Sequence, residues 1–383
     1  MVPSWGVKIS LVIENIIFHH ALTGIPGNER YFAIYHYGNQ FRDDWIGAGG
    51  SVRLNEKLSA GVSMFVTVKS LNYNTSIDIE AYSLNDSIIV NDNYVPFYMA
   101  SFENSEYLKF NDYRLTWKAG LMYRTENYSL GLSLTTPSLG GIYSDGKRVT
   151  RTEKQNNITL PESGEPVPDY IVTDYKEKKD VKVSLRSPFS VSAGFNYYLP
   201  GRKRIFYSSV EYFFQIDPYR MVEAEESEDI WPDFISDEVL FSEWLTFVDG
   251  AKPVFNFALG YSWTLKKDLL LMGGFRTDFN ALKKLDYDPY NGFNKMQTLI
   301  VDRYNVTCGL SWNILGQDII TGIQYTLGHT KDQQQQINLS DPVEYNTIEN
   351  KALQGTRTND MRSWLNSISL YFGASFNFGE EKK

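Results

Sequence analysis

The sequence predicts an all-β protein, a transmembrane antiparallel up-and-down β-barrel with short periplasmic turns and long extracellular loops. Three observations predict it. Apolar residues alternate with small or polar ones over many segments, the connections between those segments are alternately short and long, and several segments exceed the usual strand length. A tilted strand needs about 9–11 residues to cross a bilayer, whereas strands of soluble domains average about 5–6. The bulk composition agrees. Of 383 residues, 26 are Tyr and 23 are Phe, yet only 42% are hydrophobic. A barrel strand shows only half its side chains to lipid, so a window average never reads as apolar. No apolar run reaches the roughly 20 residues of a spanning helix. The nearest candidate, Leu11 to Leu22, is interrupted by Glu14, Asn15, His19 and His20. A formal charge of -9 argues against a nucleic-acid footprint, which would need a basic face. A single Cys excludes internal disulfides and cysteine-based metal sites.

In chain order, the clearest strand pairs begin near 45–53 and 57–70, joined through Asn55-Glu56. Leu58, Ala60, Val62, Met64, Val66 and Val68 share one face, against Ser59, Gly61, Ser63, Phe65, Thr67 and Lys69 on the other. Strands near 107–124 and 127–137 meet at Thr125-Glu126, and Leu130, Leu132 and Leu134 again oppose Gly131 and Ser133. Pro200-Gly201-Arg202 joins 185–199 to 203–216, Lys266-Lys267 joins 253–265 to 268–279, and Leu315-Gly316 joins 298–314 to 317–329. Each is a tight hairpin turn. The stretches 71–106, 138–184, 217–251, 280–297 and 330–362 are polar and read as the long loops. A soluble barrel would have the opposite polarity, with its bulky apolar residues inside.

Strands near 7–18, 29–38 and 363–378 bring the total to about 13, whereas single-chain bacterial barrels have even numbers. On this count the first strand descends toward the periplasm, so one ascending strand is expected ahead of Met1, giving 14. Met1-Val2-Pro3-Ser4-Trp5 has neither the basic nor the apolar region of a signal peptide. The expected organisation is one barrel domain over 1–379, with its first strand missing, and a polar tail at 380–383.

The stretches Trp45 to Ser63 and Leu115 to Pro137 each hold a strand, a short polar turn and then Leu-Ser-x-Gly or Tyr-Ser-Leu-Gly, the second ending in Thr135-Thr136-Pro137. Similar phrasing recurs at Pro188 to Gly194. In these hairpins the chain resembles the FadL-type outer-membrane transporters of long-chain fatty acids and other hydrophobic compounds, in a divergent form. The resemblance implies fourteen strands, an N-terminal plug inside the barrel and a hydrophobic ligand passage. The plug and the first strand are the parts this sequence lacks on that reading.

Candidate ligand contacts lie in the outer loops. Trp231 to Val248 reads as a short helix on which Phe241, Trp244, Leu245 and Val248 fall on one face. Trp231 and Phe234 begin the same segment, and Phe97 and Phe102 form a second aromatic group. The alternative for the helix is simple packing over the barrel mouth. The acidic run Glu223 to Asp229 has carboxylates suited to Ca²⁺ but matches no calcium loop, so a solvated loop is the plainer reading. Arg114, Lys118, Glu211, Arg276, Asp278 and Arg303 fall on inner-facing phases. Cys308 shares the apolar phase of Val306 and Leu310, as a small hydrophobe. The four His, at 19, 20, 36 and 329, lack His-Glu-x-x-His spacing, and no Gly-x-Ser-x-Gly elbow occurs.

The expected protein is therefore not an enzyme and takes no cofactor or metal. It sits as a monomer in the cell outer membrane of a Gram-negative bacterium, among outer-membrane lipid and lipopolysaccharide, and passes a hydrophobic small-molecule ligand. The alternatives are a general porin for hydrophilic solutes and a structural or adhesive barrel.

Overall fold

The computed structural model describes residues 5–18, 28–84, 87–90, 93–96, 99–159, 172–178, 181–223, 245–266, 268–282, 300–314, 317–349 and 351–375, together with Leu22 and Ile25. In chain order the strands are β1 (Trp5–Phe18), β2 (Glu29–Arg53), β3 (Leu58–Ser83), β4 (Ser87–Val90), β5 (Asn93–Pro96), β6 (Met99–Arg124) and β7 (Tyr128–Thr135). Next come β8 (Leu139–Asn156), β9 (Val172–Lys178), β10 (Lys182–Val183), β11 (Ser190–Tyr198), β12 (Arg204–Phe213), β13 (Ile216–Glu223) and β14 (Phe247–Ala251). The last are β15 (Val254–Lys266), β16 (Leu269–Asp278), β17 (Asp302–Ile314), β18 (Gln317–Gln333), β19 (Val343–Asn346), β20 (Lys351–Gln354) and β21 (Met361–Ser375).

The main sheet has 14 strands, in the order β1-β2-β3-β6-β7-β11-β12-β15-β16-β17-β18-β21, with β8 and β9 attached beside β6. Every pairing along that path is antiparallel, which is the up-and-down order expected from the sequence. Among the described residues no pairing joins β1 to β21. The expected strands 29–38 and 45–53 are one 25-residue strand, β2, paired without interruption to β3. The odd parity read from the sequence came from dividing β2. With β2 whole, β1 and β21 run in opposite directions, and β1 pairs only with the half of β2 farther from the short turns, from Phe18 opposite Glu29 to Trp5 opposite Phe41.

Those turns are built by their side chains. The Asn55 Oδ1 accepts from the Lys57 and Leu58 backbone N–H at 2.9 and 2.8 Å. The Thr125 Oγ1 accepts from the Tyr128 N–H at 3.1 Å. Gly201 takes a φ of 78°, a left-handed conformation that favours glycine, inside the 3₁₀ turn Pro200–Arg202.

The sequence pattern of β3 fixes the height of the membrane. From Leu58 to Val68 the outward face is apolar, with Val62 51% exposed, and the inward face is small or polar apart from Phe65. Beyond Val68 the polarity inverts. Leu71, Tyr73, Ile77, Ile79 and Ala81 turn inward and are buried, while Ser70, Asn72, Asn74, Ser76, Asp78 and Glu80 face out. The neighbours invert at the same level. Val66 pairs with Ile46 on one side and Leu115 on the other, whereas Val68 pairs with Asp44 and Tyr113. Eleven residues of membrane-type polarity match the length a tilted strand needs to cross a bilayer.

The same outward apolar face runs across the path through Leu132, Phe195, Phe206, Leu259, Val306, Ile323 and Phe372, all exposed in the isolated chain. Cys308 lies on it, as its phase predicts. An exposed apolar surface of this extent is an interaction surface, and its band shape suits lipid. Aromatic rings border it on both sides. Tyr123, Tyr128 and Phe195 lie in contact near the short-turn rim, and Phe189, Tyr212 and Phe214 at the opposite edge. Such girdles mark the two bilayer interfaces.

Above the inversion level, β2, β3, β6 and β8 project as a wall with soluble-type polarity. The expected loops 71–106 and 138–184 are thus largely strand, because their outward polar residues are only one face of an alternation. Close approach between β2 and β3 needs Gly47 near the interface. A Cβ there would lie 2.5 Å from the Phe65 ring and 2.3 Å from the Met64 carbonyl oxygen. The Phe65 ring covers the bare glycine directly across the ladder.

Candidate functional site

Six successive strands, β2, β3, β6, β7, β11 and β12, surround one recess of about 610 Å³ on the inner face of the sheet. That six neighbours line one hollow shows the sheet curling on itself. Ser51, Ser59, Ser63, Ser133, Ser192 and Ser209 contribute small polar groups, interleaved with glycines. Alternation places them there, since each is opposite in phase to a lipid-facing residue. At the top of the recess the Lys118 ammonium lies 5.0 Å from the Trp45 ring centroid and 5.9 Å from that of Phe65. Elsewhere on the inner wall, Arg303 pairs with Asp278 at 3.8 Å. The Glu211 carboxylate accepts from the Ser190 hydroxyl at 2.9 Å. The inner phase expected for these charges is the one observed.

A polar knot lies above the recess. The buried Arg114 guanidinium donates from Nη1 to Asp112 at 3.3 Å and to Ser184 Oγ at 3.1 Å. Its Nε and Nη2 reach Ser138 Oγ and the Ser138 carbonyl at 2.9 and 3.1 Å. Asp112 also accepts the Leu185 N–H at 2.6 Å, and Lys69 donates to Ser187 Oγ at 2.6 Å. These bonds hold residues 184–187 against the inner face of β6 and β3. The sequence had placed 185–189 at the start of a strand. Ser184 and Ser187 instead bond through their side chains, and Pro188, with no N–H, cannot donate to a ladder. The interruption of alternation at Ser184 to Pro188 is the signal that could have located the knot.

An apolar cap lies above the knot, on the side away from the short turns. Its core joins Tyr31, Tyr73, Phe102 and Phe110 of the wall to residues from two inserted hairpins. One is β13–β14, which supplies Met221, Val222 and Phe247, the last edge-on to Tyr73 at 6.3 Å. Burial pushes the Asp249 carboxyl on this hairpin above its ordinary range, against the Tyr219 hydroxyl that donates to it at 2.9 Å. The other hairpin is β19–β20, inserted between β18 and β21 at the far end of the strand path, yet its Ala352 and Leu353 are buried in the same core. The Tyr31 hydroxyl donates to the Leu353 carbonyl at 2.5 Å. A hairpin inserted near one end of the path thus touches β2, near the other end.

The tip of β19–β20 is latched by charge. The Lys351 ammonium donates to Glu153 of β8 at 3.0 Å and lies 5.5 Å from the Phe102 ring. Asn104 donates to the same Glu153 oxygen at 2.9 Å. Burial raises the Glu153 carboxyl, but Lys351 and Arg151 outweigh it and hold the group below its usual range. A carboxyl depressed in the folded state contributes stability that is fully present above its unfolded pKa, about 4.3. That contribution is lost as pH falls through the still lower folded value. Protection of residues 343–354 against hydrogen exchange, taken relative to the intrinsic rate at each pH, is therefore expected to hold from pH 7 to about pH 5 and to fall below about pH 4. In Lys351→Gln the exchange is expected to be fast already at pH 7. Equal protection of both proteins across the range would show that the ion pair holds nothing.

Of the residues singled out from the sequence, Phe102 and Leu245 both lie in the buried core of the cap. Phe97, Trp231, Phe234, Phe241 and Trp244 fall outside the described residues, as does the acidic run beyond Glu223. The helix expected to reach Val248 does not do so. Phe247–Ala251 is a strand on β13, since Phe247 and Val248 suit a ladder and the Phe247 ring packs on Tyr73. The sequence reading missed Lys69, Asp112, Tyr31 and Leu353. Among the described residues there is no cluster of metal-ligating side chains.

No protein-family model matches the chain, and no curated protein does. Solved structures do. The chain is similar to a Pseudomonas aeruginosa FadL homologue at 11% identity, covering 91% of this chain and 68% of that one, with a TM-score of 0.46. It is similar to the P. putida toluene transporter TodX at 12% identity, covering 99% and 89%, with a TM-score of 0.44. A third similar structure is the CymD monoaromatic hydrocarbon channel, at 11% identity, 85% and 83% coverage, and a TM-score of 0.43.

Proposed function

We propose that this chain is a passive, monomeric conduit for hydrophobic compounds, such as long-chain fatty acids, in the outer membrane of a Gram-negative bacterium. The observation that carries the reading is the apolar cap seated above an open recess. Tyr31, Tyr73, Phe102, Phe110, Phe247 and Leu353 are buried against one another there, so among the described residues the cap is a packed apolar plug rather than a water-filled mouth, and a solute passes only by parting it. Shedding its water there costs several kcal/mol per polar group that finds no partner. A hydrocarbon chain has no such penalty and gains about 0.8 kcal/mol for each CH₂ it buries. The barrel wall then carries the ligand past lipopolysaccharide, and the small side chains of the recess leave room for it below the knot. No step needs a cofactor or a catalytic group.

The test is displacement of a fluorescent long-chain fatty acid from the detergent-folded protein by its unlabelled counterpart. Saturable displacement, with no swelling of protein-bearing liposomes in sugar, is the expected result. Swelling without displacement would replace this reading with a porin.

A further inference from the structure

We propose that the outer wall just above the membrane carries a docking site for the phosphate groups of the outer-leaflet glycolipid, formed by Lys109, Lys147 and Arg148 with Arg42 beside them. The inference needs the bilayer placement but is independent of which ligand is transported. The ladder registers supply the geometry. Val68, Asp44, Tyr113 and Tyr143 form one row at the upper edge of the apolar belt. Two residues up, the outward row is Arg42, Ser70, Asn111 and Asp145. Two further up it is Gln40, Asn72, Lys109 and Arg148. A register shift in β8 between these rows adds Lys147.

At about 3.4 Å per residue and a tilt near 40°, Lys109 stands roughly 10 Å above the belt. The headgroup layer adds about 5–8 Å on each side of the hydrocarbon, and a lysine stem reaches the remainder. Lys109, Lys147 and Arg148 are exposed, and Arg148 lies over the Tyr107 ring at 5.6 Å. Two acids share the zone. Asp44 pairs with Arg42 at 2.5 Å, and Asp145 with Lys147 at 3.8 Å. Four cations against two acids leave a positive band on a chain whose net charge is -9.

Farther up, the same face turns acidic. Asp78 stands opposite Glu103 with Glu80 nearby, and Lys154 is bonded to Glu103 at 2.9 Å. Cations next to the apolar belt with acids held away from it match a surface lying against anionic headgroups. Uncharged Asn72, Asn111 and Gln40 between them offer donors and acceptors to the sugar hydroxyls. The polarity of the zone therefore fits a phosphorylated glycolipid better than a simple phospholipid.

The experiment is thermal unfolding of the detergent-folded protein with and without added lipopolysaccharide, at low and high salt. The native protein is expected to gain several degrees with lipopolysaccharide at low salt and to lose most of that gain at high salt. In K109Q/K147Q/R148Q the gain is expected to fall by half or more. K109Q/K147Q, which leaves Arg148 on Tyr107, guards against a packing effect and is expected to fall in the same direction. Lys154→Gln, higher on the wall, is expected to respond like the native chain. Inorganic phosphate and dephosphorylated lipopolysaccharide are expected to give no gain. A full response in both collar variants, or the same gain from inorganic phosphate alone, would overturn the proposal.

Discussion

Val62→Lys is expected to destabilise folding into phospholipid vesicles by about 2–4 kcal/mol, the range for a lysine on the lipid face near the bilayer centre. Val62 is one of the two central residues of the outward apolar series Leu58 to Val68, and its ladder partners are Gly50 and Ala119. Asn72→Lys, ten residues along the same strand and on the same outward face, is expected to stay within about 0.5 kcal/mol, because that position already lies outside the hydrocarbon layer. Ser63→Lys, adjacent to Val62 but facing the recess, is expected to fall between the two, since its ammonium can remain hydrated in the lumen. Urea titration in vesicles reads all three. Equal costs at 62 and 72 would mean that the inversion at Val68 does not mark the membrane surface.

The same inversion explains how much of the fold was legible in the sequence. Below Val68 the alternation of Leu58 to Val68 against Ser59 to Thr67 gave the strands, their turns and their inner face directly. Above it, Leu71, Tyr73, Ile77 and Ile79 alternate just as regularly with Asn72, Asn74, Asp78 and Glu80. That segment read as a polar loop only because apolar residues were sought on the outward phase. The break that split β2 had the same origin, as Arg42, Asp43 and Asp44 mark the bilayer edge rather than a turn. The hairpins β13–β14 and β19–β20 were less accessible. Each is short, and each is ordered by contacts with residues far away in the chain, such as Tyr73 with Phe247 and Tyr31 with Leu353. No local period encodes such contacts. The inner charges were legible by phase, but the partner of Arg114 was not, because Ser138 and Ser184 reach it only when the chain folds inward.

Arg114→Ala is expected to cost about 3–5 kcal/mol, the range for breaking one side of a buried ion pair. The Arg114 and Asp112 side chains are 5% and 0% exposed. Without the guanidinium, Asp112 keeps one bond, from the Leu185 N–H, and its Oδ1 already lacks a partner among the described residues. The double variant R114M/D112L removes the stranded charge as well and is expected to recover much of the loss, although the Leu185 N–H then goes unanswered. Stability alone would not distinguish a knot that merely braces the wall from one that closes the recess. Conductance does. Residues 184–187 lie between the recess and the cap and are bound to the wall through Asp112, Arg114, Ser138 and Lys69. Loosening that segment is expected to let liposomes bearing Arg114→Ala swell in small sugars that the native protein excludes. Swelling in the single variant but not in the double would place the seal in the charge balance of the knot. Swelling in both would place it in the hydrogen bonds to Ser138 and Ser184, which neither methionine nor alanine can replace.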